Sequence, residues 1–306
     1  MIAAWTDAAS LGRCLASLRG QAEAADIEVV VVRNFDQGAP TSVAALPGIV
    51  DVALPATTTV PALRAAGFRV AHGGIIAFLE DHCTAAPGWV DALRRAHAKR
   101  LKGSGRAGER ESGTACGLGA VGGPVEQADG ATALDWAVYF YDYGRFMPPC
   151  EAGPVTQLSG LNMSFTRAAL EEAVGAIRDG VFEADLQAAL RASDQTLYLE
   201  PAAVVVHGKR HRPGTAVRQA YHLARSYAAR RVGKGLAWRR LAFGLGAIAL
   251  PPVLLARIAI GVFRRRRHRA ALLRALPWLT ILVTVWSAGE VLGYLVGSGS
   301  SAAAWR

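Results

Sequence analysis

The stretch that most constrains the fold is Ile75 to Trp89, IIAFLEDHCTAAPGW. Its first four residues have the β-branched and aromatic character of a fully buried strand. That strand runs straight into Glu80, Asp81 and His82, three potential metal ligands with no spacer. Pro87, Gly88 and Trp89 then turn the chain into an amphipathic helix starting near Val90. Carboxylates at the carboxyl end of a buried strand sit at the crevice of an open α/β sheet, where ligands usually bind. A hard divalent cation held there by one or two carboxylates is the usual partner of a substrate diphosphate. By itself, a Glu-Asp pair after a strand reads equally well as a solvated acidic turn.

The elements around this stretch extend the same pattern. Residues 2–5 give a very short apolar start, and Leu11, Cys14, Leu15 and Leu18 fall at helical spacing up to about Gln21. Ile27 to Val32 reads as a buried strand ending in Arg33-Asn34-Phe35-Asp36, and Ile49 to Leu54 as another. Ala62 to Ala71 is helical and stops at Gly73-Gly74, just before the central strand. The pattern predicts an α/β fold with a mostly parallel, Rossmann-like sheet. Residues 103–119, rich in Gly, Ser and charge, read as a loop, and Val121 to Val125 as a strand bent at its glycines. Leu134 to Phe146 is an aromatic helical segment ended by Met147-Pro148-Pro149. A loop at 159–162 leads into a short strand and a helix from Arg167. Phe182 to Ala192 is a helix opening with Glu183 and Asp185, and short strands at 197–199 and 203–206 end at His207.

Charge divides the chain sharply. The net charge is +10, yet residues 1–200 carry 16 Lys/Arg against 23 Asp/Glu, while residues 201–289 carry 17 Lys/Arg and no acid. A basic tail suits nucleic acid or an anionic membrane. The long apolar runs within it, and a hydrophobic content of 52%, select the membrane and exclude nucleic acid as the partner. The four cysteines are scattered without a C-x-x-C pair, so a reducing cytoplasm fits. No basic region followed by an apolar core opens the chain, so no cleavable signal peptide is expected.

Leu241 to Phe263 and Leu276 to Val296 are each long enough to span a bilayer. The first contains Pro251-Pro252 and Arg257, and the second Glu290. Six of the residues at 264–274 are arginine, which conflicts with the positive-inside rule if both segments cross. A re-entrant first segment and a single crossing by the second resolves the conflict, with Arg257 and Glu290 as a candidate buried pair. The expected organisation is a catalytic domain at 1–212 (halves near 1–100 and 101–212), a basic linker at 213–240, two membrane segments within 241–297, and a tail at 298–306.

Taken together, these residues resemble the family 2 glycosyltransferases, enzymes with the nucleotide-sugar-binding glycosyltransferase A fold. Cys14-Leu15, Ser17-Leu18-Arg19 and Gln21 are similar to the family's opening helix, and Ile27 to Val32 to its second strand. Arg64, Gly67 and Ala71-His72-Gly73 stand where the family carries an Arg-Asn-x-Gly helix. Phe78-Leu79-Glu80-Asp81-His82 stands at its acidic metal motif, with Pro87-Gly88-Trp89 following at the family's spacing. Gly160-x-Asn162 with Arg167 resembles the acceptor-side loop, and Phe182-Glu183-x-Asp185-Leu186 the segment carrying the base. The likeness covers about residues 2–210. Two departures stand out. Arg33 and Asn34 occupy the place of the family's nucleobase-holding Asp, and Glu80-Asp81-His82 is a softer, less charged set than two or three aspartates.

The resemblance implies a divalent cation, Mg2+ or Mn2+, held by Asp81, His82 and His207. It implies donor and nucleotide contacts from Asn34, Asp36, Arg64, Glu80, Asn162 and Arg210, and catalysis by Glu183 with Asp185. Each has a plainer alternative. Glu183 and Asp185 suit the first turn of any helix, Arg64 can snorkel along its own, Asn162 can cap a strand, and His207 can be a surface residue. The aromatic run from Trp136 to Phe146 reads as core or interface. No Gln-x-x-Arg-Trp motif follows His207; Arg218 to Tyr227 reads RQAYHLARSY, which argues for single-sugar addition.

The expected function is inverting, non-processive transfer from a nucleotide sugar to a lipid-linked or other glycan acceptor. The expected setting is the inner membrane with its anionic lipids, with the catalytic domain on the cytoplasmic side. The alternatives are an inactive membrane partner with the same fold, and a nucleotidyltransferase. The second would want a Gly-rich phosphate loop that residues 5–12 lack.

Overall fold

The structure is a computed structural model that describes residues 1–25, 27–35, 48–103, 117–175, 183–232 and 237–302. Asp36, Phe182 and most of the loop expected at 103–119 lie outside the described residues. The chain divides into two compact units. Unit 1 comprises Met1–Glu126 with Phe146–Gly208, and unit 2 comprises Gln127–Arg145 with Lys209–Arg306. The division differs from the expected 1–212 domain, because the aromatic segment before Phe146 groups with the tail.

In unit 1 an eight-stranded sheet runs in the order β3-β2-β1-β4-β9-β6-β10-β8. The strands are β1 (Ile2–Ala4), β2 (Val29–Arg33), β3 (Ile49–Ala53), β4 (Ile75–Glu80), β6 (Leu118–Gly122), β8 (Gly153–Val155), β9 (Met163–Thr166) and β10 (Thr196–Leu199). The β3-β2-β1-β4 half is parallel throughout, and β6 pairs parallel with β10. β9 enters antiparallel between β4 and β6, and β8 closes the far edge antiparallel to β10. Three residues suffice for β1 because both of its neighbours cover it and Ile2, Ala3 and Ala4 are buried. A second sheet orders β5 (Cys83–Ala85), β11 (Val205–His207) and β7 (Val125–Gln127).

The unit 1 helices are α1 (Ala8–Ala25), α2 (Val60–Val70), α3 (Trp89–Gly103), α5 (Arg167–Gly175) and α6 (Glu183–Ala192). The core beneath them is continuous through Leu63, Phe78, Met163, Phe165, Leu170 and Leu186. The Phe78 and Phe165 rings lie 5.4 Å apart across the β4–β9 pairing. α3 also carries a polar group into the interior. His97 on α3 is fully buried, its Nε2 2.9 Å from Ser164 Oγ, while its Nδ1 is buried with no hydrogen-bond partner.

Burial lowers the His97 pKa from 6.5 to about 4. The unfolded chain therefore binds a proton here that the folded chain refuses. Stability should be fully present above pH 6.5 and fall as the pH drops toward 4, by about 3 kcal/mol at 1.36 kcal/mol per unit. Urea denaturation across that window checks this, and a His97→Gln variant should lose this part of the pH dependence.

In unit 2, α4 (Ala133–Val138) opens on a capping box in which Thr132 and Asp135 bond each other's backbone N–H. A π-helical turn (Tyr139–Tyr143) and a 3-10 turn (Gly144–Phe146) complete the expected aromatic helix. α7 (Pro213–Val232) occupies most of the expected linker. The first apolar segment is broken into α8 (Ala237–Ile248) and α9 (Leu250–Arg265), bent by 55° just before the two prolines. α10 (Arg269–Val296) is long and apolar enough to cross a membrane. The expected Arg257–Glu290 pair does not form. Glu290 Oε1 instead accepts a bond from Trp286 Nε1 at 2.7 Å, one turn earlier on the same helix, so its partner is local.

Candidate active site

The carboxyl end of β4 is where the chain concentrates its buried charge. Glu80, Asp81 and His82 are all buried there. Arg64, on the inner face of α2, is 3% exposed, and its two terminal nitrogens reach different acids. Nη2 lies 2.7 Å from Glu80 Oε1, and Nη1 lies 2.7 Å from Glu183 Oε2 at the first residue of α6. Nη2 also donates to the Gly160 carbonyl at 3.3 Å. A Cβ at Gly160 would come within 3.1 Å of the Glu183 Cγ and Cδ, so a larger residue there would push Glu183 aside by a few tenths of an ångström. Burial pulls the Arg64 pKa down, but the two carboxylates more than offset it, and the net shift is upward. One guanidinium thus joins the acidic tip of β4 to the helix expected to carry the base.

Asp81, expected to meet the metal, is bonded to the loop after β1. Its Oδ2 accepts from the Trp5 and Thr6 backbone N–H groups at 3.1 and 2.7 Å, and its Oδ1 accepts from Thr6 Oγ1 at 2.9 Å. These bonds fasten the loop after β1 to the end of β4, so Asp81 acts as a strut between them. Trp5 Nε1 donates to Glu80 Oε2 at 3.3 Å, adding a second tie from the same loop. The sequence alone does not mark Trp5 and Thr6 as part of the site. The only signal was that a polar and an aromatic residue follow the short first strand.

His82 and His207 are brought together by register. β5 runs antiparallel to β11 with His207 opposite Cys83, and Gly208 N–H donates to the His82 carbonyl at 2.8 Å. The two imidazoles meet edge to face with ring centres 5.1 Å apart. His82 Nε2 lies 3.5 Å from Glu80 Oε2, and its Nδ1 faces Asp81 Oδ1 and Thr6 Oγ1 at 3.4 Å each. Among the described residues, no three His, Cys, Asp or Glu side chains form a ready cage for an ion. A cation that arrives on a diphosphate needs only one or two protein ligands, usually carboxylates, and Glu80 is the hard donor here, with the two softer imidazoles beside it. The thiols do not compete, because burial drives the pKa values of Cys14 and Cys83 upward.

The remaining expected residues are held elsewhere. Asn162 is fully buried, taking a bond from Trp89 Nε1 at 2.9 Å and giving two to the Pro124 and Ala203 carbonyls. It braces strand ends and has no amide left for a donor sugar. Asn34 sits past the end of β2 with its side chain on the Thr58 carbonyl at 2.7 Å. Beside it, Arg33 is neutralised by Asp51 at 3.1 Å. Asp185 lies half-buried in the first turn of α6. Arg210 belongs to unit 2, where it bonds the Gly130 carbonyl at 2.7 Å and Asp135 at 3.1 Å. Burial alone would raise the Asp135 pKa, but bonds from His211 and Thr132 outweigh it and hold the carboxylate below its usual range.

A twisted α/β sheet with acids and paired imidazoles at its strand tips has the glycosyltransferase A architecture. Residues 1–103 match the family model described as Glycosyl transferase family 2. Sequence comparison with curated proteins finds no match. Among solved structures, GalNAc-T7 with UDP, GalNAc and Mn2+ is similar at a TM-score of 0.50 and 13% identity, over 68% of this chain and 43% of that one. This chain therefore spans less than half of that protein. The mannosyltransferase PcManGT from Pyrobaculum calidifontis, with GDP-Man and Mn2+, is similar at a TM-score of 0.49 and 18% identity, over 95% of this chain and 86% of that one. At 13% identity the likeness to GalNAc-T7 is one of fold alone.

Proposed function

We propose that the protein moves a sugar from a nucleoside-diphosphate donor to a hydroxyl group of a membrane-proximal acceptor, in one inverting displacement. The observation that carries this reading is Arg64 at 2.7 Å from both Glu80 and Glu183. A solvated turn and an ordinary helix start would not converge on one buried cation. Arg64 is a positioning residue here, since it is enclosed and both its partners are acids. Glu183 keeps 36% of its side chain exposed, enough for an acceptor hydroxyl to reach it. Its carboxylate takes the hydroxyl proton as the acceptor oxygen attacks the anomeric carbon and the bond to the diphosphate oxygen breaks. Glu80 lines the donor side of the same cluster.

GalNAc-T7, whose fold this chain shares, was crystallised with UDP and Mn2+. Held by His82 and His207, a divalent cation would supply charge neutralisation for the departing diphosphate. A second reading, a partner protein without turnover, draws support from Arg33 in the nucleobase position and from the bonds that tie Asp81 to Thr6 and Trp5.

Thermal shift separates binding from its absence. A nucleoside diphosphate with Mn2+ at about 100 times its Kd should stabilise the full-length chain by about 2.7 kcal/mol. His207→Ala should lose the Mn2+-dependent part of that shift and keep the remainder. No shift with any nucleoside diphosphate would count against the reading.

A further inference from the structure

Unit 2 presents apolar side chains to solvent in ordered rows. On α8, Trp238, Leu241, Leu245 and Ile248 are 54–65% exposed and fall on one face, while Gly244 and Ala247 are buried on the opposite one. On α9, Val253, Ile260 and Phe263 form a second exposed row. Exposed arginines border both, among them Arg239, Arg264 and Arg266. An amphipathic pair of this kind suits the interface of an anionic leaflet, with side chains in the acyl boundary and guanidinium groups at the phosphates.

α10 is long enough to cross, but its packing argues against crossing. On α7, Ala216, Ala220, Ala224 and Ala228 repeat every fourth residue and are buried. Against this row lie Gly289 and Gly293 of α10. A Cβ on Gly289 would come within 2.9 Å of Ala224 Cβ, and one on Gly293 within 2.7 Å of Ala228 Cβ. The equal steps mean that α7 runs alongside α10 in the same direction, at the close approach small residues permit. Further along, Arg225 Nε donates to the Gly297 carbonyl at 2.9 Å, and His222 Nδ1 lies 3.0 Å from Ser301 Oγ. From α8, Arg240 Nε donates to the Tyr294 carbonyl at 2.8 Å. A bilayer-crossing α10 would carry α7 with it, and Arg218, Arg225, Arg230 and Arg231 into or through lipid, where arginines are strongly disfavoured.

We propose that unit 2 is a monotopic anchor: α8, α9 and the exposed face of α10 lie in one leaflet of an anionic bilayer, and no segment crosses it. All 17 basic residues of 201–289 then stay on one side, which removes the conflict with the positive-inside rule. This deepens the membrane-proximal part of the proposed function and rests on it.

Two measurements on the full-length chain test the anchor. Arg264→Cys and Ser300→Cys variants are expressed in a bacterial host and treated with a membrane-impermeant maleimide, with labelled peptides read by mass spectrometry. Neither site should label until the cells are permeabilised, and labelling of either one in intact cells overturns the proposal. Purified protein should also float with vesicles containing anionic phospholipid, and Leu245→Glu should lower the bound fraction roughly tenfold. No vesicle binding, or binding unchanged in Leu245→Glu, overturns it too. Sugar transfer assayed on the same preparation reports separately on the enzymatic reading, so each can fail without the other.

Discussion

Glutamine in place of Glu183 is expected to lower kcat by roughly 10²- to 10⁴-fold, the usual contribution of a positioned general base. The donor KM should stay close to that of the parent, because the amide keeps the shape of the side chain and an oxygen for Arg64 Nη1. Folding should be nearly unaffected. The Arg64–Glu183 contact is 2.7 Å but over a third of the Glu183 side chain is exposed, so solvent screens the lost charge and the change should stay under about 1 kcal/mol. Steady-state kinetics beside urea denaturation reads both quantities. A variant that turns over at the parental rate removes Glu183 from the chemistry.

Methionine in place of Arg64 should act chiefly on stability. Arg64 and Glu80 are 3% and 10% exposed, so removing the guanidinium leaves the Glu80 carboxylate buried without its cation. Breaking a buried pair in this way costs about 3–5 kcal/mol. Adding Glu80→Gln should return part of that loss, because the stranded charge is gone, and the double-mutant cycle isolates the coupling. A loss below about 1 kcal/mol for Arg64→Met would mean that the pair is much wetter than its burial indicates.

The sheet was legible where a run of apolar residues was long enough to be a strand by itself, as in β2 and β4. It was not legible in β5 or β8, three residues each, where a neighbouring strand supplies the pairing that sequence lacks. Candidate residues were legible by type: Glu80, His82, Arg64, Glu183 and His207 do meet in unit 1. Their roles were less so, because sequence cannot show which oxygens are already taken. Asp81 and Asn162 look like ligands in a motif and also brace the fold, one bonded to a loop five residues from the start, the other to Trp89 and two carbonyls.

The region 213–240 has the composition of a basic linker, since arginines dominate it. The alanine repeat from Ala216 to Ala228 is just as visible, and pairs with Gly289 and Gly293 at the same four-residue step. Small residues carry little hydrophobic signal, and their meaning lies in how closely a second backbone can approach.

The most direct measurement is release of nucleoside diphosphate from a panel of nucleotide sugars by the full-length protein, with and without Mn2+. The account predicts turnover of at least one donor, stimulated by the cation and lost in Glu183→Gln while nucleotide binding persists. Binding without turnover of any donor, or equal turnover in parent and variant, would contradict it.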